Sequence, residues 1–118
     1  MFEIKVKTDF SAAHNLRNYE GKCENLHGHN WTVEGVFRYK KVDGNGLAVD
    51  FRIAKSALKD AVEGLDHSYL NELAYFKKAN PTSENIAKFI FNSVREKIKS
   101  VYSIAVWENE KSCAIYSE

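Results

Sequence analysis

The stretch His27-Gly28-His29-Asn30-Trp31-Thr32-Val33-Glu34-Gly35-Val36-Phe37-Arg38-Tyr39 decides the fold. Taken at every second residue, His27, His29, Trp31, Val33, Gly35, Phe37 and Tyr39 share one face, opposite Asn30, Thr32, Glu34 and Arg38. Alternation over so long a run is the pattern of a half-buried strand. Towards the N-terminus, Ile4, Val6, Thr8, Phe10, Ala12 and His14 alternate in the same way with Glu3, Lys5, Lys7, Asp9 and Ser11. Residues 15–26 between the two runs form a polar loop, so two long antiparallel strands are expected. Both apolar faces end in histidine at the loop they share.

Towards the C-terminus the period changes. After the turn residues Asp43-Gly44-Asn45-Gly46, apolar side chains recur every fourth residue at Ile53, Ala57, Ala61 and Leu65, with Leu58 and Val62 alongside. This predicts a helix over about 51–64, with Asp50 as its N-cap. Asn80-Pro81-Thr82-Ser83-Glu84-Asn85 is a helix start, because proline restricts the chain before it and Thr82 or Ser83 can cap. Ile86, Ile90, Val94 and Ile98 mark the buried stripe of that second helix, broadened by Phe89 and Phe91. Two short strands, over about 101–108 and 112–117, close the chain around Asn109-Glu110-Lys111. The expected order is ββααββ: an α+β fold with a four-stranded antiparallel sheet and two helices on one face. No repeat or linker divides the chain, and residues 1–118 are expected to form one domain.

The chain's 118 residues carry a formal net charge of +1. That balance gives no reason to expect nucleic acid or a membrane surface as partner. The densest basic run, Arg38-Tyr39-Lys40-Lys41, reads as a solvated strand end rather than a phosphate track. The two cysteines, Cys23 and Cys113, form no Cys-x-x-Cys pair and no disulfide framework. The alternating charged N-terminus lacks the apolar run of a signal peptide, and no stretch is long enough to span a bilayer, so a cytoplasmic location is expected. The charged strand face (Glu3, Lys5, Lys7, Asp9, Glu34, Arg38) reads either as a sheet face open to solvent or as a polar channel inside an oligomer.

His27 and His29 leave the same face of one strand, and His14 ends the apolar face of its neighbour. Three neutral imidazoles can then converge on a divalent ion, and Zn2+ suits them. Gly28, between two of them, lets the backbone approach closely. A lone histidine at a strand end is ordinarily a hydrogen-bonded polar residue; two apolar faces that both end in histidine favour a metal. Three protein ligands leave a coordination position open, as in catalytic sites.

Cys23 lies in the loop before His27, where a nearby cation and Lys22 favour thiolate, the form able to take a proton. Cys113, within a strand, reads as structural. Asp66 beside His67 can fix the imidazole's tautomer for general-acid work, provided the chain turns there; a helix-ending Asp with a surface His fits equally. Glu108, after the apolar Val106 and Trp107, would need a two-donor partner if buried; taken alone it reads as a solvated hairpin carboxylate.

Phe10-Ser11-Ala12-Ala13-His14, Cys23-Glu24-Asn25-Leu26-His27-Gly28-His29, Leu65-Asp66-His67, Pro81-Thr82-Ser83-Glu84-Asn85 and Val106-Trp107-Glu108 together resemble the 6-pyruvoyl-tetrahydropterin synthase family. The resemblance spans nearly the whole chain. It implies the tunnelling fold, a homo-oligomer built as a dimer of trimers, and active sites between subunits in which Asp66 and His67 serve the Cys23 of a neighbour. Three residues separate Cys23 from His27, a spacing similar to the bacterial 6-carboxy-tetrahydropterin synthase branch of the queuosine pathway. The implied substrate is 7,8-dihydroneopterin triphosphate. The implied roles are zinc on His14, His27 and His29, Cys23 as base, His67 oriented by Asp66 as acid, Glu108 as pterin anchor, and Thr82 and Ser83 as polar contacts. Glu24 resembles the glutamate of a variant branch that forms 6-hydroxymethyl-dihydropterin for folate; it is a second base there, or only a solvated loop carboxylate here. The pyruvoyl-forming branch and a pterin- or metal-binding module without catalysis are the remaining alternatives.

Overall fold

The structure, a computed structural model, describes residues 1–22 and 24–118. Strands β1 (Phe2–His14) and β2 (His27–Tyr39) pair antiparallel along their whole length, from Phe2 opposite Tyr39 to His14 opposite His27. The alternation sets this register, since a slip by one residue would turn Phe10, Trp31 and Val33 out of the core. Helix α1 (Phe51–Glu63) starts at Asp50, whose carboxylate accepts from the Arg52 N–H. Its buried stripe is Ala54, Ala57, Leu58, Ala61 and Val62. Ile53, counted into that stripe from its spacing, is exposed, and Ala54 takes its place. A four-residue count alone drifts around a 3.6-residue turn, so Ile53 marks the stripe's edge.

The chain then forms β3 (Ser68–Tyr69), a 3-10 turn (Leu70–Glu72), the short helix α2 (Ala74–Lys78) and α3 (Ser83–Lys97). The Thr82 hydroxyl caps α3 by accepting from the Asn85 N–H at 3.1 Å. Strands β4 (Val101–Trp107) and β5 (Cys113–Ser117) follow.

Among the described residues the sheet is five-stranded and mixed, in the order β3-β1-β2-β4-β5, rather than four-stranded and antiparallel. The added strand is β3, parallel to β1 through Ala12–Ser68 and Ala13–Tyr69. The chain leaves β2, passes through α1 and returns antiparallel to β2, and so parallel to β1. Two residues are too few to show alternation in a sequence. The five residues of α2 are likewise too few for a helical stripe, although Phe76 within it is fully buried.

Helices α1 and α3 cover one sheet face. Phe10 stacks on Trp31, with ring centroids 5.8 Å apart, and both lie in a core with Phe37, Leu58, Ile90 and Phe91. Each such side chain contributes roughly 1.5–3 kcal/mol on burial. A Cβ on Gly35 would come within 3.3 Å of the Phe37 ring and 3.5 Å of Leu58, so this glycine sets how closely α1 lies on the sheet. On the other face Glu34 sits between Lys5 and Lys7 (3.6 and 3.7 Å). Glu3 pairs with Arg38 at 2.7 Å, and the Arg38 guanidinium lies over the Tyr102 ring. Among the described residues no helix is long and apolar enough to cross a membrane.

Candidate metal centre

The register that pairs His14 with His27 also puts His29 opposite Ala12, so the three imidazoles meet at one end of the β1–β2 pair. Their rings pack edge to face, with centroids 4.7–5.3 Å apart. Buried Trp31 packs against both His14 and His29 and backs the cluster. His14 is buried; His27 and His29 are half-buried.

The hydrogen bonds fix which nitrogen carries each proton. His14 Nδ1 donates to the Pro81 carbonyl at 2.8 Å, and His27 Nδ1 donates to the Asn25 carbonyl at 2.8 Å. A carbonyl oxygen only accepts, so each neutral ring keeps its lone pair on Nε2. Those two Nε2 atoms face each other across 3.1 Å. Two lone pairs at that distance repel unless a cation lies between them. Carbonyl bonds behind ligating imidazoles are the usual outer shell of a metal site.

Glu108, just past β4, supplies the fourth donor. Its Oε1 lies 2.8 Å from His29 Nε2, 3.4 Å from His14 Nε2 and 3.8 Å from His27 Nε2. His29 Nε2 is buried and, despite that short distance, has no aligned hydrogen-bond partner among the described residues. One ligand atom from each of His14, His27, His29 and Glu108 lies within 4.8 Å of all the others. Burial holds the His29 imidazole below its ordinary 6.5; the Glu108 carboxylate opposes this, and the other two imidazoles reinforce it. A ring kept neutral is the form a metal ion needs. The donor set therefore fits a divalent ion.

His14, Glu108, Thr82 and Ser83 line one concavity, together with Arg17, Glu24 and Asn80. Glu24 Oε1 accepts from the Leu16 N–H at 3.1 Å and lies 3.9 Å from His27 Nδ1. Cys23 lies outside the described residues.

Asp66 and His67 sit elsewhere. Asp66 Oδ1 accepts from the Ser11 N–H at 2.9 Å, and the His67 N–H donates to the Ser11 carbonyl at 2.6 Å. The turn that adjacency demands is present, because His67 has a left-handed φ of 57°. Its ring lies 3.4 Å from Asp66 Oδ2 and is largely exposed. With Ser11, Ala13, Gly28 and Asn30 it lines a hollow that His29 also borders; by alternation along β1 and β3 its ring leaves the sheet face opposite the one carrying His14 and His27. Within one chain His14 and Glu108 line a different concavity from the dyad, and His29 alone of the three imidazoles borders the hollow of His67. Gly28 is not crowded as its position between ligands suggested: a Cβ there would meet only the Ala12 carbonyl, at 3.9 Å.

The Pro81 carbonyl and the proximity of Glu108 to the imidazoles were not visible in the sequence. Pro81 reads there as a helix-start signal, and a main-chain acceptor leaves no residue signature.

An α+β sheet covered by helices, with three imidazoles and a carboxylate gathered at one end, defines a fold with a donor set that could hold a metal ion. The model of the 6-pyruvoyl tetrahydropterin synthase family matches residues 3–118, and the chain belongs to that family. A 6-carboxy-5,6,7,8-tetrahydropterin synthase of Synechocystis is 37% identical, over 98% of this chain and 93% of that protein. Its namesake in Haemophilus influenzae is 30% identical over the full length of both. The solved structure of Caenorhabditis elegans 6-pyruvoyl tetrahydropterin synthase superposes with a TM-score of 0.88 at 26% identity, covering 99% of this chain and 95% of that one. With these relatives the chain is an enzyme of the family.

Proposed function

We propose that this enzyme is a zinc-dependent lyase that converts 7,8-dihydroneopterin triphosphate and water to 6-carboxy-5,6,7,8-tetrahydropterin, acetaldehyde and triphosphate, a step of queuosine and 7-deazapurine synthesis. One observation carries the reading. His14 and His27 present unprotonated Nε2 atoms to each other at 3.1 Å, beside His29, in a chain whose full-length relatives bear that activity's name.

His14, His27 and His29 would hold the ion. Bound there, zinc supplies Lewis-acid polarisation of substrate oxygens and stabilises the negative charge that develops on them. The Pro81 and Asn25 carbonyls keep two of the rings in the ligating tautomer. Cys23 would remove a proton as thiolate, and His67, held beside Asp66, would return one. Because His67 is exposed on the opposite face, it would act on substrate held by a neighbouring copy, in a hexamer built as a dimer of trimers. Glu108 would take the amino-pyrimidinone edge of the pterin through paired hydrogen bonds, with Thr82 and Ser83 in the same concavity. A fourth protein ligand would close a tetrahedral ion, whereas catalysis needs an open position, so Glu108 is assigned to the substrate.

The folate-route variant would use Glu24 as base. Its carboxylate is engaged by the Leu16 N–H, which favours Cys23 in that role. Incubating the zinc-loaded protein with the triphosphate and identifying products by mass spectrometry tests the assignment. The expected products are acetaldehyde and the carboxylated pterin, both lost in Cys23→Ala. A hydroxymethyl or pyruvoyl pterin would reassign the branch, and unchanged turnover in Cys23→Ala would end the proposed mechanism.

A further inference from the structure

Beyond His14 the chain leaves the sheet, yet the main chain of the next three residues is fully hydrogen-bonded. Asn71 spans Asn15 in both directions: its Oδ1 accepts from the Asn15 N–H at 3.1 Å and its Nδ2 donates to the Asn15 carbonyl at 2.8 Å. Asn80 does the same for Arg17, at 2.9 and 3.0 Å. Between them the Leu16 N–H donates to Glu24 Oε1, and the Leu16 carbonyl accepts from the Glu24 N–H at 2.9 Å. The alternation continues β1 without a neighbouring strand. Two side-chain amides act as its partner on one edge and Glu24 on the other, each amide presenting a donor and an acceptor as a peptide unit does.

We propose that Asn71 and Asn80 are positioning residues of the metal centre, amide clamps that hold the chain on either side of Leu16 so that His14 and His27 stay aligned. The inference rests on the metal-centre reading. Asn80 is tied to His14 by a second route, since the adjoining Pro81 carbonyl accepts from His14 Nδ1. The Asn80 carbonyl is itself held by the Thr82 N–H and by Asn85 Nδ2, both at 2.8 Å. The first ligand and the loop leading to the second are thereby fastened to one short segment at the start of α3. Arg17 completes the tie, its guanidinium donating to the Phe76 and Ala79 carbonyls.

Aspartate is the informative replacement. It keeps the acceptor for the N–H but sets a carboxylate oxygen against a carbonyl, so the clamp opens on one side with no change in size. Zinc is titrated into metal-stripped parent, Asn71→Asp, Asn80→Asp and Val94→Ala against a chromophoric chelator, with thermal unfolding recorded for each stripped protein. Val94, in the core on α3, serves as a control that loses stability without touching either clamp. Both aspartate variants are expected to bind zinc roughly tenfold more weakly or worse, while Val94→Ala melts earlier with the parent's zinc affinity. If Asn80→Asp does not fold, Asn71→Asp, whose clamp adjoins His14, decides. Aspartate variants that melt earlier but bind zinc like the parent overturn the inference, leaving the clamps purely structural. A parent that takes up no zinc overturns the metal centre and this inference with it.

Discussion

Glu108 is the residue on which donor geometry and catalytic need pull in different directions. Its Oε1 lies within 4 Å of all three imidazole Nε2 atoms, as a ligand's would, yet an ion closed by four protein donors has no place for substrate. Replacing it with glutamine keeps the shape and removes the charge. As a pterin anchor, Glu108→Gln lowers kcat/KM by about a hundredfold, chiefly through KM, since a charge-assisted pair is worth roughly 1.5–3 kcal/mol. Zinc content is unchanged. Metal analysis beside steady-state kinetics checks this, and zinc loss in the variant would make Glu108 a ligand instead. The three histidines were legible as a cluster because two apolar faces end in them. Glu108 was not, because it follows a strand by one residue and nothing in its spacing says where its side chain turns.

At the scale of elements, the strands of thirteen residues and the two long helices followed from period and caps. The pieces between them did not. β3 and α2 span two and five residues, less than either periodicity needs to declare itself, and β3 exists because Ser11 offers its N–H and carbonyl to Asp66 and His67. The left-handed turn at His67 is only faintly marked: histidine takes such a φ more often than most residues but far less readily than glycine, so the turn was legible as a condition of the Asp66–His67 pairing rather than as a signal of its own. Where local chemistry alone decides, the sequence is informative: Thr82 caps α3 as its position suggests. Thr82→Ala is expected to cost about 1 kcal/mol, measured by denaturant unfolding of the metal-free protein. No loss of stability there would mean that Ser83 or solvent takes over the cap.

Across the whole molecule the strands set the shape, 55 Å long by 26 and 23 Å. The helices shield only one side of the sheet, and the dyad and the imidazoles stand on opposite faces of it. If active sites form between chains, inactive Cys23→Ala and His67→Ala proteins, unfolded together and refolded as mixed oligomers, regain turnover that neither has alone. No recovery on mixing would mean that each chain carries a complete site. The register His14–His27 has a further consequence. These residues are the last rung of the long β1–β2 ladder, so an ion held there acts as a clasp on a zip, closing the loop that would otherwise let the strands fray. Stripping the ion should then speed amide hydrogen exchange at Ala12–His14 and His27–Trp31, with little change near Phe2 and Tyr39. The same atoms that activate a substrate would keep the far end of the hairpin shut.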